Sequence, residues 1–129
     1  MIKKIFFLSI SAGIFSSVAC IVYDRAYFFA FEIEFKKLVN PASLIAINMF
    51  ALIIAGTGYF FIRNWFRRDH EKIFNLLFAL LSFGSILAPL AISLPLSVQN
   101  PELFPGLAIP MHFFPAISWF VVKPFFLKE

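Results

Sequence analysis

Residues 38–62 read LVNPASLIAINMFALIIAGTGYFFI, 25 consecutive positions without Asp, Glu, Lys, Arg or His. As a helix this stretch rises about 37 Å at 1.5 Å per residue, more than the roughly 30 Å hydrocarbon core of a bilayer. It is therefore read as a membrane span. Asn40-Pro41 places its start, because an asparagine N-cap followed by proline at the first helical position is a strong initiation signal. Three further stretches lack Asp, Glu, Lys and Arg: residues 5–23, 73–101 and 103–122. Each is long enough to span. A transmembrane barrel needs repeated alternating segments of about ten residues, and alternation is confined to residues 29–35.

The expected fold class is thus all-α: a polytopic membrane protein with four transmembrane helices in one bundle. The chain forms a single domain, residues 1–129, with spans at about 5–23, 41–62, 72–97 and 103–122. Composition agrees, since 61% of the 129 residues are hydrophobic and 14% charged, against roughly 45–50% apolar and 25% charged in soluble domains. Twenty phenylalanines and a mean hydropathy of +0.89 exclude disordered, collagenous and disulfide-scaffold classes.

The basic residues are sorted by side. Lys3, Lys4, Arg63, Arg67, Arg68, Lys72, Lys123 and Lys128 flank one set of span ends; Arg25, Lys36 and Lys37 flank the other. Eight against three predicts an N-in, C-in arrangement with both termini in the cytoplasm. The net charge of +4 is then mainly a topology signal, with anionic lipid headgroups as its counter-surface. No nucleic-acid partner is expected, because the basic residues sit beside spans and lack a groove-like interleaving with aromatics.

Residues 1–20 also carry the order of a signal peptide: two lysines, an apolar stretch and Ser-Val-Ala-Cys, which imitates a lipoprotein cleavage box. Retention as a span is the expected outcome. The box lacks an aliphatic residue at Ser17, and apolar residues follow Cys20 where a polar tether belongs. Cleavage after Ala19 would leave three spans. A lone cysteine forms no internal disulfide.

Within span one, Ser9, Gly13 and Ser17 recur every fourth residue, flanked by Ala12, Ser16 and Cys20, and make a close-packing face. Its partner is another helix of the chain or a second copy. After Asp24-Arg25 come Tyr27, Phe28, Phe29, Phe31, Ile33 and Phe35, interleaved with Glu32, Glu34, Lys36 and Lys37. The period-two pattern from Phe29 favours an extended interfacial segment, although Glu32 and Lys36 also have helical spacing. The aromatic groups of this 24–40 stretch belong at headgroup level. Trp65 and Phe66 form the corresponding belt at the opposite end, and Asp69 is a plausible N-cap for span three. Asp69, His70 and Glu71 read as solvated loop charge.

Spans three and four are proline-rich: Pro89 and Pro95, then Pro105, Pro110 and Pro115. A proline inside a helix removes the bond to the carbonyl four residues before it, so carbonyls at Ser85, Gly106 and Met111 need other partners in lipid. His112 is the one strongly polar titratable side chain near the middle of a span, and such residues are functional candidates. A neutral imidazole settled by an interhelical hydrogen bond is the competing expectation. Ser85, Asn48 and Ser16 lie at similar depth and complete the candidate ligand-binding set.

Other chemistry is not expected. No metal, haem or other cofactor site is predicted, since His70 lies half a membrane from His112. The spans hold no second acid or base for hydrolysis, no carboxylate of the kind small multidrug exporters use, and no cysteine pair. No catalytic residue is assigned, and an enzyme is not expected. Chain length, four spans, the serine-rich proline-broken third span (Ser82, Ser85, Pro89) and the Met111-His112 pair resemble uncharacterised small four-span bacterial membrane proteins. That resemblance implies an architecture and a bacterial inner-membrane location, and brings no activity with it. The leading expectation is a non-catalytic accessory or assembly component, partnered by the bilayer and by another membrane protein or its own copies through Ser9, Gly13 and Ser17. The rival is a small transporter or lipophilic-ligand binder with a midplane site near His112.

Overall fold

The computed structural model describes residues 1–32, 40–91 and 101–127, and all its regular structure is helical. In chain order the elements are α1 (Ile2–Phe31), α2 (Pro41–Trp65), α3 (His70–Ser85), α4 (Leu87–Ala91), a 3₁₀ turn (Pro101–Leu103) and α5 (Phe104–Phe126). Counting α3 and α4 together as residues His70–Ala91, four helices are long and apolar enough to cross a membrane. Their outward faces carry Phe29, Phe50, Leu81 and Phe125, each more than two-thirds exposed. Water would not tolerate so many large apolar groups on one small surface; lipid does.

Asn40 caps α2 as its sequence predicts. Its side chain accepts a hydrogen bond from the Ser43 backbone N–H at 2.9 Å, and the Ser43 hydroxyl reciprocates at the Asn40 backbone. The first span differs from expectation: α1 continues past residue 23 through Asp24, Arg25 and Phe31. No glycine or proline interrupts residues 24–31. The spacing of Tyr23, Tyr27 and Phe31 also stacks their rings one above another on a single helix face. Helical periodicity therefore prevails over the period-two pattern at Phe29 and Phe31. Glu32 ends the helix in the left-handed conformation (φ 55°), its N–H bonded to the Phe28 carbonyl. The rest of the aromatic segment, residues 33–39, lies outside the described residues, as do Pro95, Asn100 and Lys128.

The small-residue face of α1 is buried inside the chain. Ser9, Ala12, Gly13, Ser16 and Ser17 are all at most 4% exposed or classed as buried. A methyl group on Gly13 would lie 2.5 Å from Met49 Sδ, and one on Gly56 would collide with the Ser9 hydroxyl. The backbones of α1 and α2 thus approach as closely as small residues permit. The serines meet their own hydrogen-bonding needs by donating back to carbonyls one turn earlier, Ser9 to Ile5 and Ser17 to Gly13.

Two apolar clusters lock the bundle. One, at the end holding both chain termini, joins Ile5 and Leu8 of α1, Tyr59 of α2, Phe74 of α3 and Trp119 of α5. The other joins Cys20 and Tyr27 to Leu44, Leu107 and Met111. The span made by α3 and α4 is the peripheral member: 17% of its most apolar stretch is buried, against 44% for α1.

Candidate functional site

The prolines build the site. Pro89 has no N–H to bond the Ser85 carbonyl, and α3 ends there; Ile86 turns with an N–H bond to the Phe83 carbonyl at 3.2 Å. The interruption leaves Ser85 on the last turn of α3, opposite His112 of α5, with His112 Nδ1 3.0 Å from Ser85 Oγ. Ser85 Oγ also lies 2.7 Å from the Ser82 carbonyl. A carbonyl only accepts, so the single hydroxyl proton of Ser85 points to Ser82, and His112 must donate from Nδ1. The neutral ring then keeps its lone pair on Nε2, which has no hydrogen-bond partner among the described residues.

His112 and Ser85 line a cavity of about 540 Å³ between α2, α3 and α5, within the roughly 300–1,000 Å³ of ordinary small-molecule sites. On α2 the lining runs from Ser43 to Ile62, a length of about 28 Å at helical rise. The walls are mostly apolar, including Ala51, Leu77, Phe78 and Leu81, with His112, Ser85 and Ser82 among the polar lining residues. The result is a long, mostly apolar groove with the His112 ring in its lining.

The four candidate ligand-binding residues separate into two pairs. His112 and Ser85 face each other across the groove. Asn48 lines the same groove but is committed elsewhere: Ser16 donates to its Oδ1 at 2.5 Å, and its Nδ2 donates to the Leu44 carbonyl at 2.7 Å and toward Cys20 Sγ at 3.5 Å. Ser16 is wholly buried and does not line the groove. Asn48 and Ser16 are a clamp between α2 and α1. Ser9 and Gly13 belong to the same α1–α2 interface as this clamp, against Gly56 and Met49, and Ser17 is buried beside them.

Prolines in α5 shape a second feature. Pro110 strips the helical partner from the Gly106 carbonyl, and Tyr23 fills the gap, donating its hydroxyl at 2.8 Å. Tyr27 donates likewise to Leu103 at 2.5 Å. The sequence marked the freed carbonyl; spacing of Tyr23 and Tyr27 by one turn was the signal for its partner.

At the end holding both termini, Glu71 is not solvated loop charge. It accepts from the Tyr59 hydroxyl, pairs closely with Lys123 and has His70 Nε2 at 3.5 Å. Lys123 also sits 5.4 Å from the centre of the Tyr59 ring. The pair is about 12% and 22% exposed. Two charges from distant parts of the chain thus join α3 to α5, a link that local sequence does not announce. Among the described residues no group of three His, Cys, Asp or Glu side chains is placed to hold a metal ion.

The chain matches no family model, no curated protein and no solved structure. Function is argued from this geometry alone.

Proposed function

We propose that this protein is a multi-pass component of a bacterial inner membrane, both termini cytoplasmic, that binds a lipophilic molecule through the groove between α2, α3 and α5. The supporting observation is the unpartnered Nε2 of His112 on an apolar wall. A groove meant only to be filled by bulk acyl chains gains nothing from an exposed acceptor, which loses hydrogen bonding in hydrocarbon. A ligand carrying a hydroxyl or N–H at mid-length restores that bond. The class is therefore a long hydrocarbon with a donor group, such as a lipophilic alcohol or phenol, in preference to a ketone or ester.

An accessory or oligomerising role draws on the small-residue face of α1. Ser9 and Gly13 apply that face to α2 of the same chain, so an assembly role needs another surface, and the groove reading has the better support.

The test is native mass spectrometry of the full chain extracted in mild detergent. The wild type is expected to retain a lipophilic species absent from Ala51→Phe, which fills the groove, and depleted in His112→Phe, which removes the acceptor. Identical lipid profiles in all three proteins would overturn the reading.

A further inference from the structure

We infer that the end of the bundle holding both termini contains a binding site for a phosphate anion, separate from the midplane groove and independent of it. Lys4 of α1, Arg63 of α2, Arg68 of the following turn and Lys72 of α3 all line one cavity of about 450 Å³. The topology rule asks only that basic residues lie near span ends on one side. It does not ask that four of them, from four successive segments, converge on one concavity.

The acids in the same wall do not neutralise it. Glu71 is matched by Lys123, which lies outside the cavity lining, and by the Tyr59 hydroxyl. Asp69 has Lys72 at 3.7 Å, both well exposed. Lys4, Arg63 and Arg68 have no carboxylate within 4.0 Å among the described residues. Three cations with no protein counter-charge therefore share the cavity. Lys4 and Arg68 are exposed and Arg63 half-buried; like charges that line one concavity repel one another, and an anion there relieves that repulsion.

The donor chemistry selects the anion. The Arg68 guanidinium has a planar fork that matches the paired oxygens of a phosphate, Arg63 adds a second guanidinium whose Nη1 rests 3.1 Å from the weak acceptor Met1 Sδ, and the Lys4 ammonium adds a point charge. Beside Tyr59 and His70, the lining includes apolar groups: Met1, and Phe126 and Leu127 at the last turn of α5. Such a mixed lining suits a phosphate joined to hydrocarbon, as in an acidic phospholipid, whose headgroup lies at the depth where spans end. A free phosphate shares the charged part of this chemistry, and the experiment separates the two.

The full chain in mild detergent is titrated with phosphatidylglycerol or phosphatidylcholine, and bound lipid is counted by native mass spectrometry. The variant Lys4→Gln/Arg68→Gln is compared with Lys3→Gln/Arg67→Gln, which removes the same charge from adjacent positions that do not line the cavity. Phosphatidylglycerol is expected to bind the wild type more tightly than phosphatidylcholine. The cavity variant should lose at least about tenfold more of that affinity than the control variant, because general attraction to an anionic surface is reduced equally in both and only the cavity variant loses direct donors to the phosphate. Competition by inorganic phosphate assigns the site to a free anion; persistence of lipid binding in its presence assigns it to a headgroup. Equal losses in the two variants, or no preference for the anionic lipid, overturn the site. Far-ultraviolet circular dichroism checks that each variant keeps its helix content, and Arg68→Lys, which keeps the charge but loses the fork, should bind phosphatidylglycerol more weakly than the wild type and more tightly than Arg68→Gln.

Discussion

His112 and Ser85 make a one-way relay that ends on the Ser82 carbonyl, and the direction of that relay is measurable. ¹⁵N spectra of histidine-labelled protein should show Nδ1 protonated and Nε2 bare at the one intramembrane histidine. Ser85→Ala removes the acceptor that fixes this form, so the Nε2–H tautomer should become populated; a wild-type ring protonated at Nε2 would contradict the relay. The glycines give a second residue-level expectation. Gly13→Ala and Gly56→Ala press a methyl onto Met49 and Ser9 and should destabilise the bundle by about 1–3 kcal/mol, the usual range for overpacking. Gly84→Ala meets nothing within 4 Å and should be neutral or slightly stabilising, because alanine is the better helix former. Unfolding in mixed detergent micelles reads all three. Hydropathy gives depth along a helix and no rotation about it. That is why the sequence could nominate Ser85, Asn48 and Ser16 as equals for His112, while only the azimuth of α2, α3 and α5 separates the Ser85 contact from the Asn48–Ser16 clamp.

Helices were legible as elements because each rests on a local signal: an uncharged run long enough to span, and at residues 40 and 41 a cap. Their ends were less legible, because they depend on neighbours. α1 outruns its uncharged stretch, since Tyr23 and Tyr27 find carbonyl partners at Gly106 on α5 and at Leu103 in the 3₁₀ turn before it; α3 stops short of its uncharged stretch because of Pro89. The Tyr23 contact carries a specific expectation. Tyr23→Phe removes the donor to a carbonyl that Pro110 has orphaned, and should lower stability by about 1 kcal/mol, near the upper part of the range for interhelical hydrogen bonds in bilayers. In a Pro110→Ala background the restored N–H can bond Gly106 within α5, so the same substitution should cost measurably less. A double-mutant cycle isolates this coupling. Strict additivity of the two changes would show that the tyrosine does not compensate for the proline.

Across the whole molecule, α1, α2 and α5 form the tight part, while α3 with α4 stands at the edge and forms one wall of the groove. What holds α3 at the terminal end is polar as well as apolar: the Tyr59, Glu71 and Lys123 contacts beside the Phe74–Trp119 packing. Lys123→Met removes the positive member and strands Glu71, about one-fifth exposed, in a site that no longer balances its charge. Breaking a fully buried pair in this way costs about 3–5 kcal/mol; the residual exposure of Glu71 places the expected loss lower, at about 2–3 kcal/mol. If the cost arises from the uncompensated carboxylate, Lys123→Met/Glu71→Gln should regain most of it, since the neutral amide can still accept from Tyr59. Because α3 has little other burial, the single variant should also speed amide hydrogen exchange in the first turns of α3 well before it affects α1 or α2. A uniform rise in exchange over all helices, or a double variant no more stable than Lys123→Met, would mean that the pair does not anchor α3 and that the groove wall is held by its apolar contacts alone.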